Sequence, residues 1–376
     1  MRNVDILVYV EDPGAANYVS GFPSIFTEQG LTVGLLAEGF AYSYLVERGV
    51  KPVPLLRPVT AEHILSEWAP KLVIVGTSEN PDTFGFDLIS SSRNAGITTV
   101  GVIDAFGNAD YRFRGNAGDA LHHAPDWLIV PDQWTEDAYV ALGYPAERIA
   151  LCGHPHYDLV LDARTRLEEM GREQLRKKIF PDCSDDSRIV VFLSEVSTGL
   201  NPDQYKRLPD YTLTGNGDRT DRTGIVLEEF LGAIALLEQR PCLVLRMHPK
   251  NTEEELKQFV KDFDHVSQQG EPLELVFAAD LVVGMTTMLL QEAAIIGRPT
   301  LSIVPRSSET TSLPTVRASI TLCVTTREAL RDILPDLIRE QETDAEMKTK
   351  IERLFRYGSL RRAKSFIDGL LAIGGC

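Results

Sequence analysis

The chain has 376 residues, of which 43% are hydrophobic and 24% are charged. This length exceeds what one hydrophobic core usually organises and the composition is that of a globular protein, so two domains are expected and disordered or fibrous classes are excluded. The formal net charge of -16 excludes a general nucleic-acid binder, because phosphate backbones are held by clustered Lys and Arg. The acid excess is concentrated before Leu175, which makes the second half the better place for a phosphate.

The cysteines and the apolar segments bear on the cellular compartment. The odd number of cysteines and their scattered positions predict reduced thiols in a cytoplasmic protein and no metal site. The five are Cys152, Cys183, Cys242, Cys323 and Cys376. The first residues form a short apolar run followed at once by acids, which is typical of a first strand rather than a signal peptide. No segment supplies the ~20 apolar residues that span a bilayer.

Short runs rich in Val, Ile and Leu alternate with longer amphipathic segments along the chain. This pattern is typical of parallel strands that are buried on both faces and joined by helices. In the first half, strands are predicted at residues 5–10, 32–37, 72–76, 98–103, 127–130 and 149–151. In the second half, they are predicted at residues 189–193, 242–247, 273–276, 281–283, 300–303 and 321–324. The two series predict an α/β fold with two Rossmann-like domains that face each other across a cleft.

The segment between the two series indicates the domain boundary. Residues 159–178 have helical spacing, and the Pro, Asp and Ser residues that follow are typical of a connection. The predicted domains are residues 1–165 and residues 186–355, with a last helix at residues 356–376 that crosses back to the first domain.

Three further segments follow the domain boundary. Residues 201–223 are rich in Asn, Pro, Asp and Gly and predict a loop of about 20 residues, a length that is usually functional or disordered. We expect this loop at the mouth of the cleft. Residues 327–341 and 344–373 are predicted to be helices with Lys and Arg on their exposed faces.

The first candidate site follows the first strand, where Asp12, Gly14 and Asn17 open a helix. Ligands of open α/β sheets bind just beyond the carboxyl ends of strands, so Asp12 is a candidate catalytic residue and Gly14 and Asn17 are candidate acceptor ligands. The structural alternative is that Asp12 caps the helix and Gly14 permits the turn. The two roles can coexist.

Further candidates follow the third and fourth strands of the first half. Asp104 is the main candidate for a general base, because a carboxylate desolvated at a strand end gains proton affinity; its alternative role is to form a turn. Glu79 is a candidate acceptor ligand. Arg112 and Arg114 concentrate positive charge in an acidic region and are candidates for an anionic acceptor, although a solvated face is the favoured interpretation.

Two segments of the second half carry chemistry suited to phosphate. Arg246, His248 and Lys250 end an apolar strand and together can stabilise a departing phosphate. Ser194, after the first strand of this half, is a further candidate phosphate ligand.

The other segment begins with Gly284, which ends a strand. Thr286 and Thr287 then open a helix whose free N–H groups can bind phosphate, unless Thr286 serves only as its N-cap. Glu292 lies further along that helix, where its carboxylate can hold ribose hydroxyls.

These segments together resemble the nucleotide-binding half of the GT-B superfamily of glycosyltransferases and non-hydrolysing sugar-nucleotide 2-epimerases. His248 with Pro249 is similar to the His-Pro motif of bacterial sialyl-, polysialyl- and glycerophosphate-transferases. Thr286, Thr287 and Glu292 match the hydroxyl pair and the helical acid of the superfamily. Upstream, PDWLIVPDQWTEDAYVALGYPAERIALCGHPHYD resembles the segment that leads to the linker between the two lobes, where His154 and His156 either form a turn or contact phosphate.

The resemblance implies a glycosyltransferase-like enzyme that binds a nucleotide-activated sugar on the second domain and an acceptor on the first. Asp104 or Asp12 would accept the acceptor proton, and no metal or other cofactor would be needed. The chain departs from the 2-epimerases, because the first strand of the second half is followed by LSEVSTG rather than by His-Arg-x-Glu-Asn. A 2-epimerase and a non-catalytic sugar-nucleotide-binding protein are the alternatives, and nucleotide, sugar, acceptor and oligomeric state stay open.

Overall fold

A computed structural model describes residues 2–105, 107–184, 186–196, 205–339 and 345–374 of this chain. The chain divides into two compact units. Unit 1 comprises Met1–Asp158 and Phe355–Cys376, and unit 2 comprises Leu159–Leu354. The division falls within helix α7 (Pro155–Met170).

Unit 1 contains a seven-stranded parallel sheet in the order β3-β2-β1-β4-β5-β6-β7. Its strands are β1 Ile6–Val10, β2 Val33–Ala37, β3 Val53–Pro54, β4 Leu72–Gly76, β5 Thr98–Val102, β6 Trp127–Val130 and β7 Ile149–Leu151. The central strands β1 and β4 are buried along their whole length, because apolar clusters cover both faces of the sheet. That two-sided burial explains why these strands are continuous apolar runs rather than alternating ones.

Helices flank the unit 1 sheet. They are α1 Pro13–Val19, α2 Phe22–Thr27, α3 Gly39–Glu47, α4 Ala61–Trp68, α5 Phe84–Asn94, α6 Gln133–Ala141 and α16 Ser359–Gly374. Helix α16 comes from the end of the chain and adds Ala363 and Ile367, both fully buried, to the core beneath β1. Its Phe366 ring also meets Trp127 edge to face.

Unit 2 contains a six-stranded parallel sheet in the order β10-β9-β8-β11-β12-β13. Its strands are β8 Ile189–Leu193, β9 Cys242–Arg246, β10 His265–Ser267, β11 Leu281–Gly284, β12 Thr300–Ile303 and β13 Leu322–Val324. Its helices are α8 Arg172–Ile179, α9 Arg222–Ile234, α10 Glu253–Val260, α11 Pro272–Ala278, α12 Met288–Ile295, α13 Pro314–Arg317, α14 Arg327–Arg339 and α15 Ala345–Leu354. Short 3-10 turns are formed by Ala146–Arg148 in unit 1 and by Ser307–Thr311 in unit 2.

The two parallel sheets confirm the predicted α/β class with two Rossmann-like parts. One predicted strand is wrong. Residues 273–276 belong to helix α11, whose Pro272 occupies the first helical turn, where its fixed φ favours a helix. The strand between β9 and β11 along the chain is instead β10, which is short and only partly buried and therefore lacks a clear apolar pattern in the sequence.

The predicted loop and helices also need correction. Arg222 and Thr223 open helix α9 rather than ending a loop, and residues 201–204 of the predicted loop lie outside the described residues. The stretch 159–178 contains two helices, because Gly171 adopts φ +80°, a left-handed conformation that glycine tolerates. Residues 345–374 likewise form two helices, α15 and α16, rather than one.

The prediction of reduced thiols throughout is wrong for one pair. Cys183 and Cys242 are joined as a disulfide, while Cys152 and Cys323 are free thiols. Sequence spacing missed the pair because 59 residues separate its members, and the sheet topology brings them together. Among the described residues, no helix has the length and apolar character needed to cross a bilayer.

Candidate functional site

Three neighbouring strands of unit 2 end side by side at the carboxyl edge of the sheet. Strand β8 lies between β9 and β11, so Ser194 and Glu195, which follow β8, lie between His248 and Thr286. His248 and Thr286 lie in the two segments that were predicted from the sequence to bind phosphate. His248 contacts Ser194, and Thr286 contacts Glu195. We call the group formed by Ser194, Glu195, His248, Thr286 and their polar partners the strand-end cluster.

Asn251 ties the His248 side of the cluster together. The Ser194 hydroxyl donates to Asn251 Oδ1 at 2.7 Å, and the His248 backbone N–H donates to the same oxygen and to Ser194 Oγ, each at 3.0 Å. The Asn251 amide nitrogen donates in turn to the carbonyl of Glu195 at 3.2 Å. Asn251 is buried, and this polar network fixes the backbone from which His248 projects. Asn251 was not predicted from the sequence, because nothing in the sequence marks an asparagine as the centre of a hydrogen-bond network.

The orientation of the His248 ring is set by its own turn. Nδ1 accepts the backbone N–H of Lys250 at 3.1 Å, so the neutral ring carries its proton on Nε2. Burial, with a smaller contribution from the charge of Lys250, holds the pKa of His248 below its usual value although Glu195 opposes the shift. The half-buried ring is therefore a neutral N–H donor near neutral pH.

The turn after β11 already holds an anion, which is the carboxylate of Glu195. The backbone N–H of Thr286 donates to Glu195 Oε1 at 2.5 Å, and the Thr286 hydroxyl lies 3.3 Å from both carboxylate oxygens. Gly284 ends the strand below, and Thr287 is the N-cap of helix α12 without a side-chain capping bond. The Thr286 donors that were assigned to phosphate from the sequence are therefore engaged by a carboxylate of the chain itself.

Arg222 completes the strand-end cluster and was not among the predicted site residues. Only 5% of its surface is exposed, and Nη1 donates to Glu195 Oε2 at 2.6 Å while Nε donates to Glu309 Oε2 at 2.9 Å. Burial lowers the pKa of Arg222, but the charges of Glu195 and Glu309 outweigh burial and hold the pKa above its usual value. Arg222 could not be recognised from the sequence, because it lies in a segment whose composition resembles a loop.

The remaining predicted residues of this half lie apart from the cluster or at its margin. The Arg246 guanidinium donates to Ser267 Oγ at 2.8 Å and to the carbonyl of Gly270 at 3.2 Å, so it stabilises the turn after β10. Lys250 is exposed. Glu292 is half-buried on helix α12 beyond the turn at Thr286.

In unit 1, the predicted residues lie at the carboxyl ends of the adjacent strands β1, β4 and β5. Asp104 Oδ1 accepts from Arg112 Nη1 at 2.7 Å, and the same Arg112 nitrogen donates to Thr77 Oγ1 at 3.0 Å. A Cβ atom at Gly14 would lie 2.0 Å from Asp104 Oδ2, so glycine is required for Asp104 to approach the start of helix α1.

The other predicted unit 1 residues have structural contacts. Asp12 is the N-cap of helix α1, and its Oδ1 accepts the Gly14 N–H at 2.8 Å. Glu79 Oε1 accepts from the Asn108 amide at 2.7 Å, and Asn17 is half-buried on α1. Burial lowers the pKa of Arg112, but Asp104, together with Tyr139 and Glu79, outweighs burial and holds the net pKa above its usual value. Arg112 is thus a buried, paired cation rather than part of a solvated face.

A second group of carboxylates at this edge was missed by the sequence analysis. The fully buried Tyr9 hydroxyl donates to Glu38 and, at 3.0 Å, to Glu11 Oε2. Ser78 Oγ donates to Glu11 Oε1 at 2.5 Å, and Arg57 forms an ion pair with Glu38 at 3.0 Å. Burial and the charge of Glu11 raise the pKa of Tyr9. Neighbouring strand ends β1, β2 and β4 therefore present two carboxylates that share the Tyr9 hydroxyl as a hydrogen-bond donor.

His154 of unit 1 is structural. It is 1% exposed, its Nδ1 accepts the His156 N–H at 3.2 Å, and its ring packs 4.7 Å from the Tyr18 ring and 5.0 Å from the Tyr157 ring. Its Nε2 has no hydrogen-bond partner among the described residues. Burial, and to a lesser degree His156, holds the pKa of His154 well below its usual value. This burial supports the turn interpretation over contact with a phosphate.

The buried His154 makes a testable contribution to the pH dependence of stability. The unfolded chain protonates this histidine below about pH 6.5 and the folded unit does not, so the unfolding free energy should fall as pH drops, by up to about 1.4 kcal/mol per pH unit. His154→Asn keeps an acceptor for the His156 N–H and should remove that part of the loss. Urea unfolding followed by tryptophan fluorescence measures it, since all three tryptophans lie in unit 1. An unchanged pH dependence in the variant would contradict the assignment.

No family model and no curated protein sequence matches this chain. Solved structures do. The UDP-GlcNAc 2-epimerase of Neisseria meningitidis bound to UDP-GlcNAc is 14% identical with a TM-score of 0.66, and the match covers 98% of this chain and 99% of that one. The glycotransferase of kitacinnamycin is 14% identical with a TM-score of 0.58 and coverages of 97% and 99%. The wall teichoic acid polymerase TagF is 12% identical with a TM-score of 0.54 and coverages of 98% and 88%.

These likenesses extend over nearly the whole chain at low sequence identity, so they bear on the fold. The chain forms two parallel α/β sheets, one after the other, and an epimerase, a glycotransferase and a polymerase match it along nearly its whole length. This match agrees with the fold that the sequence motifs implied by their resemblance to the GT-B superfamily. The chain has the GT-B fold.

Proposed function

We propose that this protein is an enzyme that acts on a nucleotide-activated sugar and binds the nucleotide phosphates at the strand-end cluster of unit 2. The observation that carries the proposal is the convergence of an N–H donor on His248, a buried guanidinium on Arg222 and the helix-opening turn at Thr286 on one sheet edge. Such an edge is where open α/β sheets bind ligands. The similar epimerase of Neisseria meningitidis was solved with UDP-GlcNAc, which supports the ligand class.

The reaction that we propose is transfer of the sugar to an acceptor. Arg222, His248, Thr286 and Thr287 would stabilise the charge that develops on the leaving phosphate, so that the chain supplies the positive charge and the donors itself. Asp104 or Asp12 would accept the acceptor proton, and Arg112 would hold the Asp104 carboxylate in place. Gly14, Asn17 and Glu79 would line the acceptor side, as predicted from the sequence.

Glu195 has a defined place in this proposal. Its carboxylate holds the Thr286 N–H and the Arg222 guanidinium, which are the groups that a phosphate would bind. We propose that the nucleotide phosphate replaces Glu195 at the turn, while Glu309 keeps its ion pair with Arg222. The internal carboxylate then competes with the ligand.

Ligand binding tests both the proposed nucleotide site and the proposed competition by Glu195. The folded protein should be stabilised against heat by at least one of UDP, CDP, CMP, GDP and dTDP, because a ligand that binds only the folded state raises apparent stability. Glu195→Gln should bind that nucleotide more tightly than the wild type, since the competing charge is gone. Isothermal titration of the two proteins measures the difference. If none of the nucleotides binds, the proposed function fails. If Glu195→Gln binds more weakly, only the competition is refuted.

The alternative is a sugar-nucleotide 2-epimerase, and the paired carboxylates Glu11 and Glu38 favour it, because epimerisation needs side chains that exchange protons with carbon. Incubation with UDP-N-acetylglucosamine in the absence of acceptor separates the two reactions. Formation of the 2-epimer would reject the transferase, whereas nucleotide release only when an acceptor is supplied would support it. Asp104→Asn should lower the rate of whichever reaction is found.

A further inference from the structure

Three groups with affinity for soft metal ions lie together at the amino edge of the unit 2 sheet. Cys242 is the first residue of β9, His265 is the first residue of the adjacent parallel strand β10, and Cys183 precedes β8. The two sulfurs and an imidazole nitrogen all lie within 4.8 Å of one another. Because the strands are parallel, this amino edge is opposite to the edge that carries the strand-end cluster.

A disulfide by itself does not account for the imidazole. His265 Nε2 lies 3.4 Å from the Cys183 sulfur. Two ligands of one tetrahedral zinc ion, a thiolate at about 2.3 Å and an imidazole nitrogen at about 2.05 Å, are about 3.6 Å apart. The spacing between His265 and Cys183 is therefore that of two ligands of one ion.

The surroundings provide room for the remaining ligand. A cavity of about 730 Å³ opens beside His265 and is lined by Phe180, Met247, Ser267 and Leu275 among others. The Cα atoms of Cys183 and Cys242 are 6.4 Å apart. Since each sulfur turns about its own Cα–Cβ bond, the reduced sulfurs can separate to act as two ligands, and a water from the cavity can complete a tetrahedron.

We propose that the reduced thiols of Cys183 and Cys242 and the imidazole of His265 bind one divalent zinc-class ion, with water as the fourth ligand. A dithiol reductant transfers two electrons and two protons to the disulfide, which yields two thiols while the reductant becomes its own disulfide. The ion then displaces the two thiol protons and is held by two thiolates. Oxidation of the thiols and metal binding are thus mutually exclusive states of one site.

The proposed ion would stabilise unit 2 rather than take part in the proposed reaction. It would join the connection before β8 to the starts of both β9 and β10, whereas the disulfide joins that connection to the start of β9 alone. Nucleotide binding at the carboxyl edge does not depend on it, so a failure of the proposed function leaves the metal site open to its own test.

Cobalt substitution tests the proposal directly. The protein, reduced with a phosphine and kept without oxygen, is titrated with Co²⁺, and Zn²⁺ is then added to displace the cobalt. We expect one equivalent of Co²⁺ to produce thiolate-to-cobalt charge-transfer absorption and the intense visible bands of tetrahedral Co²⁺. Zn²⁺ should abolish both and raise the thermal midpoint of the reduced protein.

Variants distinguish this site from chance binding. His265→Asn and Cys183→Ser should each weaken Co²⁺ binding by more than about 100-fold, since even loss of a group outside the ligand set costs about 10- to 100-fold. Cys323→Ser, which removes a thiol outside the group, should bind as the wild type does, and circular dichroism verifies that each variant is folded. Absence of the thiolate band in the reduced wild type, or an undiminished band in Cys183→Ser, would overturn the proposal.

Discussion

Replacement of His248 by Ala is expected to lower the turnover of the nucleotide sugar by about 10²- to 10³-fold, the effect of losing one preorganised donor to a developing anion. The structure gives the reason, because Nδ1 is occupied by the Lys250 N–H and the ring proton is directed to Nε2. The substitution should change kcat more than KM, because the donor acts mainly on charge that develops in the transition state. Steady-state kinetics with the nucleotide sugar identified by the binding screen measures it.

Two variants control this prediction. His248→Gln keeps an N–H donor on a side chain of similar reach and should recover part of the lost rate. His63→Ala removes an exposed imidazole of unit 1 and should leave kcat and the thermal midpoint unchanged. Equal kcat in wild type and His248→Ala would remove His248 from the mechanism, while the fold would stand.

The positions of most strands could be predicted from the sequence, because the burial of a strand leaves an apolar pattern within its own segment. Strands β4, β6, β7, β8 and β12 were predicted with the bounds that the structure has, because each is a short segment rich in Val, Ile or Leu. The carboxyl ends of strands were correctly expected to carry polar side chains. His248 and Thr286 are 38 positions apart, and they share an edge because β8 lies between their strands.

The partners of those residues depend on the tertiary structure and leave no local signal. Glu195 was considered only as part of a departure from an epimerase motif, yet its carboxylate occupies the turn at Thr286. Arg222 resembled a loop residue and proved to be a buried cation. Cys183, Cys242 and His265 have no ligand spacing along the chain, because three separate segments bring them together. Spacing rules detect sites built within one segment and miss sites built across strands.

Asp280 illustrates the same limit for stability and is the buried centre of an ion-pair group in unit 2. It lies just before β11, and no role was predicted for it from the sequence. Its carboxylate is 1% exposed and accepts from Arg172 at 2.6 Å, from Arg176 at 2.9 Å and from the Ile189 N–H at 2.7 Å. Burial alone would raise the pKa of Asp280, but the Ile189 N–H and the arginines hold it below the usual value.

Asp280→Ala is therefore expected to lower the unfolding free energy of unit 2 by about 3–5 kcal/mol, the cost of removing one partner from a buried ion pair. We expect the lower end of this range, because the guanidinium of Arg172 is 26% exposed and that of Arg176 is 17% exposed, so both can regain water. The buried Ile189 N–H cannot do so, and its lost acceptor accounts for about 1–3 kcal/mol of the total. Urea unfolding followed by far-ultraviolet circular dichroism measures the change.

The companion variant Asp280→Asn separates charge from hydrogen bonding. Asn retains an acceptor for the Ile189 N–H and should therefore lose less stability than Ala. Because the pKa of Asp280 is lowered on folding, its charge contributes fully above the ordinary aspartate value of about 3.9 and is lost as pH falls through the folded value. The difference in unfolding free energy between wild type and Asp280→Asn should thus narrow in acid. The control Asp332→Ala, at an exposed position of α14, should have the unfolding free energy of the wild type at every pH. If the difference in unfolding free energy between wild type and Asp280→Asn stayed constant as pH falls, the arginines would contribute to stability through packing rather than through the charge of Asp280.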